Sequence, residues 1–447
     1  MHTTTRVALR VTGALVAVAA VTTGCSQDTS TDTNGRSVSP PRSQHGLGDI
    51  IVGGKAVTGS QPSHLAKAPY QRTYTNGPLY APVTGYRSMV YGNTGLEAVY
   101  DRTLGAGASG SARGDVTTTI EPAVQEAAFD ALGDRQGAAV ALDADSGELL
   151  AVVSTPSYDP ARFSGRGSKD ARAWKSATAD SRSPMLNRAL KQPDAPGATF
   201  SVVVAAAALE QKLYTTVDEA TASPRTFVLP LSTKRVTGTS PQCENASIRT
   251  ALRHSCANVF VKMAADLGLT RLGAVAEKFG FNDDTLKVPL SVAESSYPAA
   301  GTSTADVALT GIGAGDVRAT PLAMARVVAA VANGGRLVPP RLVKRVTDAD
   351  GSTHRPESQD GRSAKRAISR GTADALREVI GRSGQAGWTV GGRGESASSW
   401  FIGCTEAPGG RRTAVAVRVE GPAPTSGGDD EGHAAAEVAR KILASVS

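Results

Sequence analysis

The sequence predicts an α+β fold in which one sheet gathers strands from both ends of the main domain. Short apolar runs at 138–142 and 149–154 have the pattern of a hairpin near the start of that domain. Runs at 400–403 and 413–419 are typical of strands near its end, and a helix-like segment at 434–444 closes the chain. Helix-like segments at 200–209, at 248–267 with an interruption at 254–256, and at 320–331 with a cap at Thr320 lie between the two sets of strands. This arrangement predicts that the termini of the domain meet in one sheet.

Composition excludes several classes of function. The chain has 447 residues, enough for two to three domains with a sizeable core, and only 4% of them are aromatic. The formal net charge is +7, with no run of five or six like charges, which argues against a nucleic-acid partner and leaves an anionic membrane or cell-wall surface open. The four cysteines include no Cys-x-x-Cys pair. We therefore expect neither a metal nor a cofactor.

The N-terminus has the pattern of an export signal. Arg6 and Arg10 flank the start of an apolar stretch, 11–21, that is shorter than the roughly 20 residues a membrane-spanning helix needs. Cys25 and the residues before it resemble a bacterial lipobox, in which the cysteine carries the lipid, although Thr22 stands where leucine is usual. A plain signal peptide and a short uncleaved anchor are the alternatives. All three place the folded body outside the cytoplasmic membrane, either anchored at its extracellular face or secreted.

The chain divides into four predicted regions. Residues 1–24 form the signal peptide, and residues 25–50, rich in Ser, Thr, Asp, Pro and Gly, form a flexible tether. A small N-terminal linker domain is predicted at 51–130. Within it, segment 69–101 holds six of the nine tyrosines and several Gly and Pro turn signals, which favour short strands over long helices. The main domain is predicted at 131–447.

Several segments, in order, resemble the class B penicillin-binding transpeptidases of actinobacterial type. They are residues 79–86 in the linker domain, 137–143 and 154–160 around the hairpin, 186–190 before the nucleophile, 310–316 with 319–325 as a Gly-rich loop and its helix, and 400–403 after the third motif. The similarity covers roughly residues 51–445. It implies the fold shared with serine β-lactamases: an antiparallel sheet with helices on both faces, plus an all-helical part, after a small linker domain.

The Gly-rich loop has an alternative interpretation. Gly311-x-Gly313-x-Gly315 has the glycine spacing of a nucleotide cradle. The segment lacks the strand, loop and helix unit with a downstream acidic partner that a dinucleotide site requires. We therefore favour its place in the transpeptidase pattern.

The resemblance implies three catalytic motifs, Ser-x-x-Lys, Ser-x-Asn and Lys-[Ser/Thr]-Gly, that converge on one cleft. In the first motif, Ala198 stands at the nucleophile position and Ser201 at the lysine position. A methyl group cannot attack a carbonyl, and an alcohol cannot replace the amine base. No lysine in the chain has a serine three residues before it. The motif is therefore lost, and it has not moved elsewhere in the chain.

The second motif is half kept. Ser255 is present, but Ala257 stands at the asparagine position. Asn258 comes one residue late, which turns it roughly 100° around a helix and onto a different face.

The third motif has two possible positions. In one, Gln385 and Ala386 replace the lysine and the hydroxyl residue, and only Gly387 is kept. In the other, Arg382-Ser383-Gly384 keeps a cation, a hydroxyl and a glycine. Neither position restores a nucleophile.

The cysteines suggest one disulfide. If Cys25 carries lipid, Cys243 and Cys256 remain thirteen positions apart in an oxidising compartment, and we favour a disulfide between them over two separate buried thiols. Cys404 is then a single thiol, interpreted as a small buried apolar residue.

These observations predict a catalytically inactive relative that acts by binding. Its expected partners are peptidoglycan stem peptides or β-lactams, held non-covalently, or a cell-wall synthesis or division protein, with the membrane reached through the lipid anchor. An active D,D-transpeptidase that cross-links peptidoglycan with non-standard residues, such as Ser201 or Ser255, is the alternative. A decaying gene copy without a role is the third possibility.

Overall fold

The computed structural model describes residues 46–105, 113–356, 363–381, 385–389, 397–421 and 434–446. The predicted signal peptide and Cys25 lie outside these residues. The strands are β1 Ile50–Val52, β2 Lys55–Ala56, β3 Thr58–Leu65, β4 Ala68–Tyr74, β5 Arg87–Ser88, β6 Gly92–Asn93, β7 Asp115–Thr118, β8 Gly137–Asp143, β9 Leu149–Thr155, β10 Thr226–Val228, β11 Arg235–Thr237, β12 Arg336–Leu337, β13 Val343–Thr347, β14 Thr353–His354, β15 Lys365–Arg366, β16 Gln385–Thr389, β17 Ser398–Glu406 and β18 Arg412–Glu420.

The helices are α1 Gly77–Thr84, α2 Gly95–Val99, α3 Asp101–Leu104, α4 Pro122–Leu132, α5 Ser168–Ala179, α6 Arg188–Lys191, α7 Ser201–Glu210, α8 Ile248–Arg253, α9 Ala257–Lys278, α10 Thr304–Leu309, α11 Pro321–Ala332, α12 Arg370–Ile380 and α13 Ala434–Ser445. Short 3-10 turns lie at Pro160–Phe163, Gly197–Phe200, Pro241–Cys243 and Thr310–Ile312. Within the described ranges, no helix combines the length and the apolar character needed to span a bilayer.

The main domain is built on a five-stranded antiparallel sheet in the order β16-β17-β18-β8-β9. Side chains of β8 alternate between its two faces, as the two-residue period of a strand requires. Ala138, Val140 and Leu142 belong to the larger hydrophobic core, and Ala139 and Ala141 to the smaller one. The near-continuous apolar run of this strand therefore reflects burial on both faces.

Helices cover both faces of this sheet. α4 and α13 pack together on one face and close the smaller core. α11 packs on β8, β17 and β18 from the other face, and α7, α9 and α12 complete the larger, helical part of the domain. The predicted α+β architecture, with its sheet joining both ends of the domain, is confirmed.

Most of the predicted elements are present near their expected positions. The hairpin is β8 and β9, the two late strands are β17 and β18, and the closing helix is α13. The predicted helix starting at Thr320 is α11, where the Ala323 N–H donates a 3.2 Å hydrogen bond to the Thr320 hydroxyl. This bond satisfies one of the donors that a helix leaves unpaired at its start.

The prediction of short strands in place of long helices over 69–101 is incomplete. The segment contains β4, β5 and β6, but it also forms the eight-residue helix α1. α1 carries Pro78 in its first turn, where proline is well tolerated, and Pro82 in its interior, where proline removes a helical hydrogen bond. Its buried residues Leu79, Tyr80 and Val83 show that tertiary packing outweighs the local preference.

The N-terminal domain shares its sheet with the main domain. This sheet runs β14-β13-β7-β1-β2, so β13 of the main domain pairs with β7 of the first 120 residues, and β14 pairs with β13. β1 and β7 are parallel, with Ile50 opposite Val116, and β13 runs antiparallel to β7. This sheet therefore contains strands from both sides of the predicted domain boundary at residue 130.

Candidate active site

The first motif segment forms a tight turn that leads into a buried helix. Gly197 adopts a left-handed backbone conformation with φ of 59°, and the 3-10 turn Gly197–Phe200 runs directly into α7. The Thr199 hydroxyl, fully buried, donates a 2.6 Å hydrogen bond to the Pro196 carbonyl. Phe200 packs edge-on against Phe281, with ring centroids 5.3 Å apart. The turn is therefore held rigidly, as a nucleophile turn in this family would have to be.

The residues at the two predicted motif positions of this turn differ in exposure. Ala198, at the position predicted for the nucleophile, is partly exposed. Ser201, at the lysine position, is 1% exposed, and its hydroxyl donates a 3.1 Å hydrogen bond to the Gly311 carbonyl oxygen. Within the part of the chain that the structure describes, no amine contacts the Ser201 hydroxyl. The pair therefore presents a methyl group outward and a bonded hydroxyl inward.

The Gly-rich loop packs against this turn. A Cβ added at Gly313 would lie 2.2 Å from the Gly197 carbonyl oxygen, and one added at Gly311 would lie 2.1 Å from the Phe260 carbonyl oxygen. Larger residues cannot fit at either position without moving backbone. The glycines of this loop thus allow three backbone segments to approach closely, which explains their spacing without a nucleotide.

The second motif lies where α8 ends and α9 begins. Ser255 is exposed and has a left-handed backbone conformation with φ of 48°. Ala257 is the first residue of α9 and is partly buried. α9 packs along α7, so this junction belongs to the same helical layer as the first motif. The predicted break in the helical stretch 248–267 corresponds to this junction.

Asn258 points into the protein. It is fully buried, and its amide donates hydrogen bonds to the carbonyls of Pro224, at 2.9 Å, and Cys243, at 2.8 Å. The structure joins Cys243 and Cys256 in a disulfide, with Cα atoms 5.3 Å apart. Asn258 and the disulfide therefore hold the same loop, and the asparagine has a structural role instead of the substrate-facing role of the family motif.

The third motif segment forms strand β16, which starts at Gln385. It runs antiparallel to β17 with Gln385 opposite Ile402, Ala386 opposite Phe401 and Gly387 opposite Trp400. β16 also contacts the turn Gly197–Phe200, so the structure brings the first and third motif segments together. The alternative position, Arg382-Ser383-Gly384, lies outside the described residues.

Asp194, which lies just before the turn Gly197–Phe200, forms an ion pair with Arg418 that the sequence did not predict. The Asp194 carboxylate accepts a 2.7 Å hydrogen bond from Arg418 Nε and a 2.9 Å hydrogen bond from the Ser398 hydroxyl. Arg418 is 3% exposed, and the backbone of Asp194 pairs with Ala319. Asp194 thus connects the turn to β17, β18 and the start of α11. No sequence signal indicates this pair, because its members are 224 positions apart.

Next to this pair lies a second buried arginine, Arg188, which is 2% exposed and donates a 3.1 Å hydrogen bond to the Ser183 carbonyl. Burial lowers the pKa of the Arg188 guanidinium, and the charge of Arg418 lowers it further.

Across the described residues, no group of three or more His, Cys, Asp or Glu side chains is arranged to hold a metal ion.

Comparison with known proteins gives the family. Residues 137–444 match the penicillin binding protein transpeptidase domain, and residues 47–124 match the penicillin binding protein A dimerisation domain. The chain belongs to the penicillin-binding-protein family. The family prediction is thereby confirmed, and the segment predicted as a linker domain corresponds to a dimerisation domain.

Two relatives of this penicillin-binding protein are mycobacterial. It is 35% identical over 361 residues to the peptidoglycan D,D-transpeptidase PbpA of Mycolicibacterium smegmatis, covering 74% of this chain and 72% of the relative. The PbpA of Mycobacterium tuberculosis is 34% identical over 361 residues, again covering 74% of this chain and 72% of the relative. The protein is thus homologous to enzymes that act in cell-wall synthesis.

Solved structures of the tuberculosis protein share the fold. A crystal structure of its PBPA aligns with a TM-score of 0.79 at 31% identity, covering 90% of this chain and 99% of that chain. Its imipenem acyl-enzyme complex aligns with a TM-score of 0.78 at 30% identity, covering 90% and 98%. The fold assignment therefore holds over both domains of this penicillin-binding protein.

Proposed function

We propose that this penicillin-binding protein acts by binding and does not form an acyl-enzyme. One observation carries the proposal: the turn that should present a serine hydroxyl to a lysine amine presents the Ala198 methyl group, and Ser201 is buried against Gly311. A covalent intermediate needs an oxygen or sulfur atom that can attack the substrate carbonyl.

The two substitutions act on one chemical unit. In a comparable serine enzyme, loss of the nucleophile or its base lowers the rate by on the order of 10⁶, and removing the second member adds little. Here both members are absent from their positions. Hydrogen-bond donors that remain in the cleft cannot compensate, since they stabilise an intermediate that does not form.

The retained architecture supports a binding role. The turn Gly197–Phe200 still contacts β16, the edge strand in the order of the main sheet, and Ser255 stays exposed at the start of the α9 layer. The expected occupants of this cleft are peptidoglycan stem peptides or β-lactams, bound non-covalently. A cell-wall synthesis or division protein is the expected macromolecular partner.

The proposal places the protein at the outer face of the cytoplasmic membrane. The predicted signal peptide at 1–24, the lipid on Cys25 and the tether predicted at 25–50 would hold the N-terminal domain, 51–130, and the transpeptidase-like domain, 131–447, near the bilayer. The last residues of that tether belong to the folded body, because Leu47 and Ile50 are buried in it. Radiolabelled palmitate incorporation that is lost on Cys25→Ser would support the lipid anchor, and unchanged incorporation would contradict it.

The test of the binding role is a search for a covalent adduct. The purified protein is incubated with a fluorescent penicillin, with mycobacterial PbpA as the positive control, and both are measured by mass spectrometry. We expect no mass increase in this protein. We also expect its melting temperature to rise with saturating β-lactam or stem peptide, because a ligand that binds only the folded state stabilises it. A stable adduct would refute the proposal.

A restoration experiment tests whether the cleft is otherwise intact. The double variant Ala198→Ser, Ser201→Lys reinstates the first motif, and each single variant serves as a matched control. We expect slow acylation in the double variant alone, and only partial recovery, because Ala257 and Gln385 remain. Acylation of the wild-type chain at a rate equal to that of the double variant would contradict the proposed role of these positions.

The alternative function, D,D-transpeptidation by a non-standard nucleophile, has one supporting observation. Ser255 is the serine of the second motif and is exposed, whereas Ser201 is buried. If an adduct forms, Ser255→Ala should abolish it and Ser201→Ala should not. The absence of an adduct on the wild-type chain removes this alternative.

A further inference from the structure

Helix α5 lies on the surface and is attached to the body through one side. None of its twelve residues is fully buried. Trp174 provides the main attachment: its ring stacks on Tyr91 at a centroid distance of 4.3 Å and meets Phe163 edge-on at 5.3 Å. Tyr91 belongs to the N-terminal domain and Phe163 to the main domain, so α5 is fixed where the two domains meet.

The outer side of α5 carries three cations. Lys169, Arg172 and Lys175 are all exposed and follow one another at intervals of three residues. With 3.6 residues per turn, this spacing places them within about 120° of the helix circumference, on the side away from Trp174. These three residues are called the basic face. Two further exposed cations, Arg162 and Arg166, precede the helix.

The three cations of the basic face are not placed where they would stabilise helix α5. Like charges three positions apart repel each other, and Lys169 lies in the first turn, where the helix dipole disfavours a cation. The nearby acids are committed elsewhere: the Asp170 carboxylate accepts the N–H groups of Gly165 and Gly167, and Asp180 pairs with Arg182. Among the described residues, none of the three cations of the basic face forms an ion pair. The charges are therefore free to meet an external anion.

The basic face lies near the point where the chain enters the described structure. The Gln71 amide of β4 donates a 2.9 Å hydrogen bond to the hydroxyl of Ser164, four residues before α5. Leu47 and Ser164 line one cavity of about 480 Å³, together with the cations Lys67 and Arg102. The N-terminal end of the body and the start of α5 are thus on one side of the molecule.

We propose that the basic face docks on the anionic phospholipid surface of the membrane. About 20 residues separate Cys25 from Gly46, and their composition predicts a flexible tether. A flexible chain of that length spans roughly 25 Å on average. A body held at that distance meets the bilayer first with the side from which the segment leaves. Lys and Arg side chains near such a surface are attracted to lipid phosphates within a Debye length of about 8 Å. The proposal rests on the lipid anchor of the proposed function, and it does not depend on the chemistry of the cleft.

The test measures binding to vesicles. The full chain carrying Cys25→Ser, which cannot be lipidated there, is co-sedimented with phosphatidylcholine vesicles with and without phosphatidylglycerol. The basic-face variant carries Lys169→Glu, Arg172→Glu and Lys175→Glu. Its affinity for the anionic vesicles should fall on the order of 100-fold, since each cation near the surface contributes about fivefold. Affinity for the neutral vesicles should not change.

A control of equal charge separates a specific surface from net charge. Lys234→Glu, Arg235→Glu and Arg253→Glu reverse three exposed cations elsewhere and should lower the affinity no more than a few-fold. Equal losses in the two triple variants, or no loss in the basic-face variant, would overturn the proposal. If the glutamate variant does not fold, the affinity for anionic vesicles is measured on a variant with glutamine at the same three positions, and the same outcomes apply.

A second measurement identifies the occupant. Hydrogen exchange at the α5 amides should slow when anionic vesicles are added, and it should not slow in the basic-face variant. A soluble polyglycerol phosphate serves as the competing probe. If the basic face is required for binding that polymer but not for binding vesicles, the surface recognises a wall polymer and the membrane proposal fails.

Discussion

The hydroxyl of Ser201 donates a hydrogen bond to the carbonyl oxygen of Gly311, with 3.1 Å between the two oxygens. Ser201 begins α7, and Gly311 lies in the Gly-rich loop, 110 positions later. At the position where the family pattern has a catalytic amine, this chain thus has a contact that joins two structural segments.

Ser201→Ala should lower the free energy of unfolding by about 1–2 kcal/mol, because it leaves the buried Gly311 carbonyl without this donor. Denaturant titration measures the change. Ser176→Ala, on the exposed side of α5, is the control and should change stability by less than about 0.5 kcal/mol. An unchanged stability for Ser201→Ala would show that the hydrogen bond contributes nothing to the fold.

Reduction of the Cys243–Cys256 disulfide should destabilise the protein. Closing a loop of this size in the unfolded chain is worth about 3 kcal/mol on the chain-entropy model, and the bond lies beside the fully buried Asn258. The melting temperature with and without reductant measures the loss. A variant with both cysteines changed to alanine should melt lower and should no longer respond to reductant. A wild-type melting temperature that is indifferent to reductant would show that the disulfide does not form in solution.

Glu97→Gln should destabilise the N-terminal domain by about 3 kcal/mol or more, because removing one partner leaves buried charges uncompensated. Glu97 lies 2.6 Å from Arg72 Nε and 2.8 Å from Arg87 Nε, and the side chains of Glu97 and Arg72 are fully buried. Thermal unfolding followed by circular dichroism measures the effect. Asp101→Asn, which removes an exposed partner of Arg87, should cost less than about 0.5 kcal/mol. Equal effects of the two variants would argue against the buried network.

The Cys404 thiol should be almost inert in the folded protein. Burial raises its pKa from 9.0 to about 11, although Arg377 and Arg412 act in the opposite direction. At pH 8 the folded thiol is then ionised to about 10⁻³, against about 10⁻¹ in the unfolded chain, so iodoacetamide labelling should be about 100-fold slower before unfolding. Labelling in a Cys25→Ser background isolates Cys404. Fast labelling of the native protein at pH 8 would contradict the burial.

The raised pKa of the Cys404 thiol also makes the stability of the folded protein depend on pH. A thiol whose folded pKa is raised keeps its proton in the folded state while the unfolded chain releases it. Stability should therefore fall as pH rises from 9 to 11, and it should be unaffected by this group below pH 9. Cys404→Ala should remove that part of the pH dependence.

Local patterns in the sequence predicted the main domain well. The apolar runs of β8 and β9, the helix α7, the cap at Thr320 and the closing helix α13 were all visible, because each follows from periodicity or capping within a short segment. The helix α1 was not predicted, because the interior Pro82 argues against a helix and the burial of Leu79 and Val83 is not evident from the local sequence.

Long-range pairings could not be predicted in the same way. Motif positions located Ala198, Ser201 and Ser255, but the residues that hold them became evident only in three dimensions. Asp194 meets Arg418 across 224 positions, and no pattern in either segment indicates the other. The basic face of α5 also looked like scattered charge until the helix and its attachment through Trp174 were defined.

The sheet β14-β13-β7-β1-β2 has a mechanical consequence. A pull on the segment that enters at Gly46 would act along β1, whose parallel partner β7 is in turn paired with β13, a strand from the middle of the main domain. Such tension would therefore load the hydrogen bonds of both strand pairs in shear, and both domains would resist it together. Cutting the chain after residue 130 would leave the first piece without a strand that completes its sheet.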